Sequence, residues 1–208
     1  MPAKLLRGLL LAVALLAVRS ESGILAGLRG GQRERAPWQE SPTSVFKGRQ
    51  TRVPRSIRRE LSESIEDCPY LSDSTRMNAY RLRSGRTNLL SVHARNLCFC
   101  GATGNCAFWI YRKERAQYSR ILETDMVQDF GFLAESHHGL PDLVIWSHDS
   151  ATRTPGAWWR FDGQQYSAIC SWQLVWEREL ANGETEVTSE PQVENNSCTE
   201  ILSSTAEP

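Results

Sequence analysis

The chain has 208 residues, 40% of them hydrophobic, with 24 basic and 24 acidic side chains and therefore no formal net charge. Apart from its N-terminus, it has no apolar run near the roughly 20 residues that a membrane-spanning helix needs. No catalytic, phosphate-cradling or metal-binding motif stands out, so composition and motifs do not identify an activity.

The first twenty residues have the pattern of a secretory signal peptide. Lys4 and Arg7 precede an apolar run of about ten residues, and Val18 and Ser20 are the small residues expected at positions −3 and −1 of a cleavage site. No cysteine follows for lipid attachment. We therefore expect export, cleavage after Ser20 and no membrane anchor in the mature chain, the alternative being a buried N-terminal helix.

The zero net charge conceals two oppositely charged segments. Residues 29–59 hold nine Lys or Arg and two Glu, a charge of +7, whereas residues 177–208 hold eight Glu and one Arg, a charge of −7. Both segments are poor in large apolar residues, which predicts mostly disordered tails. A basic arm can bind nucleic acid or anionic lipid, but a solvated linker is more common and export argues against nucleic acid. The predicted boundaries are a basic linker at 21–67, one domain at 68–177 and an acidic tail at 178–208.

A short helix is predicted within the basic linker, at residues 56–66. Ser56 can cap it, and Ile57, Leu61 and Ile65 recur along one side. Its basic first turn and acidic last turn oppose the helix dipole, which argues against it.

The remainder of the chain predicts seven or eight short strands and hardly any helix. The predicted strands are 78–83, 88–97, 107–113, 118–124, 130–133, 143–146, 157–161 and 166–176. Their connections are short enough for hairpins, which favours an antiparallel meander. We therefore predict an all-β fold, a meander that forms a sandwich or a partial barrel.

Two features organise the end of this meander. Asp162 and Gly163 separate two extended runs and predict a type I′ turn, which needs positive φ at both central residues. After the turn, six apolar residues recur at period 2, so we expect them to share one buried face. These six are Tyr166, Ala168, Cys170, Trp172, Leu174 and Trp176.

Several short motifs follow one another between residues 89 and 176. They are Cys100 to Cys106 (Cys-x5-Cys), Trp109-Ile110-Tyr111-Arg112, Phe130-Gly131, Pro141-Asp142-Leu143-Val144, Ser150-Ala151-Thr152, and Arg160-Phe161-Asp162-Gly163-Gln164-Gln165-Tyr166. Their order resembles that of a group of uncharacterised exported bacterial proteins rich in β-structure. The resemblance implies export and a β-rich fold, but no activity is known for that group and it assigns no functional residue.

The six cysteines form an even set in a chain expected to be exported, which predicts disulfides. Spacing does not choose among the fifteen pairings that six cysteines allow. The pairings that the strand order suggests are Cys100 with Cys106, Cys98 with Cys170, and Cys68 with Cys198. Each disulfide would stabilise the fold by about 2–4 kcal/mol.

A zinc site is the alternative use of some of these cysteines. Its ligands would be His93, Cys98, Cys100 and Cys106. Structural zinc usually takes two ligand pairs at Cys-x-x-Cys-like spacing, and an oxidising compartment disfavours thiolates. We therefore expect neither a metal nor another cofactor.

The candidate catalytic residues are His137, His138, Asp142, His148 and Asp149. Ser147, His148 and Asp149 have the residue types of a catalytic triad. They are consecutive, however, so on a strand they point alternately to opposite faces and cannot form one. On one strand Asp142 and His148 would lie about 20 Å apart. A small hydrolase with a His/Asp site near His148 and Asp149 is therefore the alternative function and not the leading one.

The chain contains seven tryptophans. Trp158 and Trp159 are adjacent on a predicted strand, so at least one of them faces outward or lies under a loop. With Arg160 and Tyr111 they are the predicted binding residues for a protein, peptide or glycan, unless they serve only as core. The sequence thus predicts an exported, non-enzymatic binding or inhibitory module of the cell envelope, periplasmic or extracellular. A purely structural envelope component is a third interpretation.

Overall fold

The computed structural model describes residues 46–63 and 77–199. The predicted signal peptide, most of the predicted linker, Cys68 and residues 200–208 lie outside these ranges. The described elements are β1 (Arg49–Thr51), α1 (Arg55–Glu63), β2 (Met77–Ser84), β3 (Thr87–Ala94), β4 (Cys106–Glu114), β5 (Gln117–Val127), β6 (Asp129–His137), β7 (Leu140–Trp146), β8 (Arg153–Phe161), β9 (Tyr166–Glu179) and β10 (Thr185–Glu194). Within these ranges, no helix is both long enough and apolar enough to cross a membrane.

The strands form two five-stranded antiparallel sheets. The first sheet has the order β1-β2-β3-β4-β5 and the second has the order β10-β9-β8-β7-β6. Gln128 alone separates β5 from β6, so the chain passes directly from one sheet to the other. Phe46 forms an isolated antiparallel β-bridge to Phe132 on β6, an edge strand of the second sheet. The prediction of an all-β antiparallel meander is confirmed.

The principal core lies between the two sheets, because strand alternation turns one apolar face of each sheet inward. Its residues are Leu82, Leu89, Phe108, Ile110, Ile121, Leu122, Val127, Phe130, Phe132, Leu140, Leu143, Ile145, Phe161 and Tyr166. A further apolar cluster lies on the outer face of each sheet. These outer clusters explain why several strands are apolar on both faces.

Helix α1 covers part of the outer face of the first sheet. Its Ile57 and Leu61 are buried in one cluster with Leu90 and Trp109. The predicted helix is therefore present, but residues 46–63 are not a disordered linker, since β1 also pairs with β2. Few apolar residues suffice to order this segment because the sheet presents an apolar surface for them to cover.

The prediction of a disordered acidic tail is wrong over residues 178–199. Strand β9 continues to Glu179, and β10 pairs with it despite its high charge. Cys198 is fully buried and forms a disulfide with Cys170. The segment is tied to the domain by this crosslink and by backbone hydrogen bonds, which composition does not reveal.

The predicted type I′ turn at Asp162 is also wrong. The connection is a four-residue loop closed by the Phe161–Tyr166 pair, and the Asp162 carboxylate accepts hydrogen bonds from the backbone N–H groups of Gln164 and Gln165. Gly163 does have positive φ, at 107°. Positive φ at two consecutive turn residues occurs instead at His138 (50°) and Gly139 (80°), in the β6–β7 hairpin.

The six alternating apolar residues of β9 do not share one face. Trp158 pairs with Cys170 but Trp159 pairs with Ala168, so Ile169 is an extra residue in a β-bulge. As a result Tyr166 belongs to the core between the sheets. Cys170, Trp172 and Leu174 belong to the outer cluster of the second sheet.

Candidate functional site

The predicted aromatic binding residues do not form an exposed patch. Trp158 is 6% exposed and Tyr111 is completely buried. Trp159 is half-buried against the core between the sheets, and Arg160 is half-buried with its guanidinium over the Trp158 ring, 5.3 Å from the ring centroid. The prediction that Trp158 and Trp159 face opposite sides of the sheet is confirmed, but their aromatic surface serves packing.

Asp142 is the most deeply buried charged residue of the second sheet, with no exposed surface. Its carboxylate accepts hydrogen bonds from His137 Nδ1 at 2.7 Å, Trp158 Nε1 at 2.9 Å and Arg160 Nε at 3.4 Å. The sequence did single out His137 and Asp142, but it gave no reason to pair them. The tight β6–β7 hairpin between them brings the two together.

This carboxylate cluster explains structure better than it explains catalysis. Its three donors come from β6 and β8, so it fastens the β6–β7 hairpin to the neighbouring strand. A His–Asp pair acts as a general base only beside a cleft that holds the substrate. The two clefts described below are lined by other residues.

His148 and Asp149, the alternative catalytic pair, lie in the connection between β7 and β8. Asn105 binds the main chain of His148 twice, accepting from its N–H and donating to its C=O, both at 2.7 Å. Asp149 N–H donates to the Arg153 carbonyl. The Asn105 side chain therefore joins the turn before β4 to the β7–β8 connection of the second sheet, with the same pair of hydrogen bonds that two paired strand residues exchange.

The disulfides only partly follow the prediction. Cys100 bonds Cys106 as expected, but Cys170 bonds Cys198, so the predicted pairings of Cys170 with Cys98 and of Cys198 with Cys68 are wrong. The cause is that β10 folds back along β9 and brings the C-terminal cysteine to Cys170.

The alternative zinc site is not formed. Cys98, Cys100 and Cys106 are all disulfide-bonded and offer no thiolate. His93 donates through Nε2 to the Val127 carbonyl at 3.0 Å. Burial lowers the pKa of His93 to about 4, an effect that the hydrogen bond to Val127 partly offsets.

The charges of the described residues are separated between the two sheets. Residues 46–63 and 77–127, which build α1 and the first sheet, hold fourteen Lys or Arg and five Asp or Glu, a formal charge of +9. Residues 128–199, which build the second sheet, hold three Arg and eleven Asp or Glu, a formal charge of −8. A neutral chain thus folds into a strongly dipolar domain.

Four of these fourteen cations lie on the outer face of the first sheet. We define the basic face as Arg49, Arg81, Arg83 and Lys113, all of them exposed. Strand register puts Arg49 opposite Arg81, and Arg83 and Lys113 on either side of Asn88. Residues two apart in a β-strand point to the same face of the sheet. These four side chains therefore lie on the same outer face as the buried residues Ala79, Leu90 and Tyr111.

A cleft of about 160 Å³ opens on this face. Its walls come from four adjacent strands and contain two cations, an amide and a phenol, with leucine at its base. The lining residues are Arg81, Asn88, Leu89, Leu90, Lys113 and Tyr118. No acidic side chain lines the cleft, so its arrangement suits an anionic group.

Two acidic residues of α1 and the first sheet, Glu60 and Glu114, are already paired with other groups. Glu60 on α1 accepts a hydrogen bond from Tyr111 Oη and lies 3.8 Å from Arg120. Glu114 pairs with Arg112 at 2.6 Å. Burial, followed by the charge of Glu60, raises the pKa of Tyr111. Among the described residues, the four cations of the basic face have no ion-pair partner.

The sequence contains one signal for the basic face, a change in the residue type at outward-facing strand positions. In β2, β3 and β4 the outward positions change from apolar to polar or basic toward the hairpin ends. Arg81 and Arg83 follow Ala79, and Lys113 follows Tyr111. That these changes coincide in space depends on strand register, which the sequence alone does not fix.

A second cleft, of about 340 Å³, lies at the opposite end of the first sheet. Leu97 and Met126 are 71% and 59% exposed in this region, and Met126 also lines the cleft. The other lining residues are Cys98, Phe99, Cys100, Gly101, Asn105, Ala107 and Asp125. Its largely apolar lining offers no arrangement of groups that selects one ligand class.

Comparisons with known proteins give no relative: no family model, no curated protein and no solved structure matches the chain.

Proposed function

We propose that the protein is an exported, non-enzymatic module that binds an anionic ligand through its basic face. The observation that carries the proposal is a cleft flanked by Arg81 and Lys113 in which no described acidic group compensates the positive charge. The binding surface is thus moved from the tryptophans of the second sheet to the outer face of the first.

Export is supported by the cysteines. All five described cysteines are disulfide-bonded, which is typical of proteins that fold in an oxidising compartment. The two disulfides whose partners are both described are Cys100–Cys106 and Cys170–Cys198. The signal-like N-terminus adds independent support for a periplasmic or extracellular location.

The electrostatics of the basic face favour a ligand over a merely solvated surface. Like charges directly opposite each other on neighbouring strands destabilise a sheet, yet Arg49 faces Arg81. An anion bound between these cations would relieve the repulsion and gain charge-assisted hydrogen bonds. Some exposed cations of the domain do have an acidic partner, as Arg178 has in Glu186 at 2.8 Å, whereas others such as Arg95 have none among the described residues.

The alternative, a small hydrolase near His148 and Asp149, has weaker support. The main chain of His148 is bound to Asn105, and neither His148 nor Asp149 lines either of the two clefts of the first sheet. The His137–Asp142 pair is geometrically better suited to proton transfer, but its carboxylate is committed to three donors.

Titration with inorganic polyphosphate, a linear polyanion without sugar or base, tests the proposal. We expect the mature chain to bind it by calorimetry with an affinity that falls as salt rises. The double variant Arg81→Glu, Lys113→Glu should bind at least about tenfold more weakly, because two attractions become repulsions.

The matched control is Arg95→Glu, Arg178→Glu, which makes the same change in net charge at exposed positions away from the cleft. It should lose much less affinity than the cleft variant. Equal losses in the two variants would mean that only net charge matters and that the basic face is not a site.

A further inference from the structure

We infer that the anionic ligand of the basic face is a sulfated polysaccharide. This inference rests on the binding function proposed above and narrows its ligand to one chemical class. Four observations carry it: the extent of the face, its arginine content, the burial of its aromatic residues and the position of the exposed apolar residues.

The basic face is too wide for a single small anion. Arg49 lies on β1 and Lys113 on β4, three strand spacings apart, or about 14 Å at roughly 4.8 Å per strand. Arg81 and Arg83 are about 7 Å apart along β2. One phosphate or sulfate reaches only part of this array, whereas a linear polyanion of high charge density crosses all of it.

Arginine dominates this half of the domain. Of the fourteen cations in α1 and the first sheet, all are Arg except Lys47 and Lys113. The planar guanidinium presents a fork of donors that binds oxyanions in a bidentate manner, and it is less strongly hydrated than an ammonium group. An array of such forks suits repeated oxyanion groups along a chain.

Bases have little aromatic surface on which to stack here, since Tyr118 is the one aromatic residue that lines the cleft. Recognition of single-stranded nucleic acid uses exposed aromatic rings, each stacked on one base. Trp109 and Tyr111 are on the outer face of the first sheet but are buried beneath α1, and Tyr118 is half-buried. The basic face therefore offers electrostatic attraction without base recognition, and an oxidising compartment holds little nucleic acid.

An anionic membrane is also a poor fit. Binding to a lipid surface usually combines basic residues with exposed apolar side chains that enter the interface. The large apolar residues exposed in the described part of the chain are Phe46, Leu97, Met126, Val187 and Val193, and none of them lines the cleft. A sulfated polysaccharide is an extended, densely charged ligand of an exported setting that needs neither base stacking nor apolar insertion.

A comparison of polyanions on the mature chain tests this inference. Heparin, hyaluronan, single-stranded oligo-dT and phosphatidylserine vesicles are titrated separately at about 0.15 M salt, where weak unspecific attraction is largely screened. Heparin should bind at least about tenfold more tightly than each of the other three. Arg81→Glu, Lys113→Glu should lower heparin affinity by about tenfold or more, and Arg95→Glu, Arg178→Glu by less than about threefold.

The outcomes separate the ligand class from the proposed function. If hyaluronan, DNA or vesicles bind as tightly as heparin, the sulfated class is wrong, while binding of polyphosphate at the same face leaves the proposed function intact. If heparin binds but the cleft variant binds it as the parent does, the site is wrong. If neither heparin nor polyphosphate binds, both proposals fall. Equal urea midpoints for the parent and both variants show that affinity was not lost through unfolding.

Discussion

We predict that His93 lowers the free energy of unfolding of the domain at acidic pH, and that the substitution His93→Gln removes this effect. The side chain is 1% exposed and packs edge-on beside the Phe108 and Phe130 rings, with centroid distances of 5.9 and 6.0 Å. Its Nε2 donates to the carbonyl of Val127, where β5 ends and the chain passes to the second sheet. Protonating the ring would place a charge in an apolar core, which is why burial lowers its pKa to about 4.

The sign of the effect follows from linkage. The folded-state pKa lies below the ordinary value of 6.5, so the unfolded chain binds the proton more tightly. The contribution of neutral His93 is fully present above pH 6.5 and is lost as the pH falls from 6.5 through about 4. A difference of about 2.5 pKa units corresponds to about 3 kcal/mol at most.

The substitution His93→Gln keeps an amide donor for Val127 but removes the titrating ring. Urea unfolding followed by tryptophan fluorescence, with the disulfides intact, gives the free energy of unfolding of both proteins at several pH values from 7 to 4. The parent should lose about 2–3 kcal/mol more than the variant over this range. His148→Gln, which removes a half-exposed imidazole, is the control. Parallel curves for parent and His93→Gln would refute the assignment of this acid sensitivity to His93.

Two further predictions concern glycines of the second sheet. A Cβ at Gly156 would lie 2.4 Å from the Trp172 ring, so Gly156→Ala should destabilise by about 1–3 kcal/mol, whereas Gly101→Ala, with no atom nearer than 3.9 Å, should have little effect. Equal urea midpoints for these two variants would show that the indole does not pack on Gly156. Because Gly163 has φ of 107°, Gly163→Val should destabilise by about 1–3 kcal/mol, while Asp162→Asn should be nearly neutral because an amide oxygen can still accept. A denaturant melt with an unchanged midpoint for the valine variant would contradict the strained loop.

Eight of the ten described strands, β2 to β9, and their order could be predicted because their signals are local, whereas β1 and β10 lie in segments predicted to be disordered. Alternation within each strand and short turns between strands are read from neighbouring residues, and a meander pairs each strand with the next one along the chain. The connection after Phe161 was predicted in the right place but with the wrong geometry. Asp162 can form a short turn or cap a longer loop, and the register of the flanking strands decides between them.

The errors arise where contacts are distant in sequence. The bulge at Ile169 depends on how β8 and β9 align, and it moves Tyr166 to the opposite face from Cys170. The order of residues 178–199 depends on β10 and on the Cys170–Cys198 disulfide, which join segments that composition describes as charged and polar. Composition predicts the behaviour of an isolated segment, not of one crosslinked to a sheet.

The candidate site was the least predictable feature. Tryptophans at predicted surface positions were interpreted as a binding patch, yet Trp158 is buried and donates to Asp142. The basic face needs four strands in register and a helix that leaves one end of the sheet uncovered. The sequence shows only the excess of basic residues at 29–59, which composition assigns to a disordered linker. Part of that segment, β1, belongs to the first sheet.

The most direct test of the central claim is a map of where an anionic polymer binds. Two-dimensional amide spectra of the mature chain, recorded during titration with inorganic polyphosphate, locate the perturbed residues. We predict that the changes centre on Arg81, Asn88 and Lys113. Changes centred instead on Trp158 and Arg160 of the second sheet, or spread evenly over all exposed cations, would contradict the account.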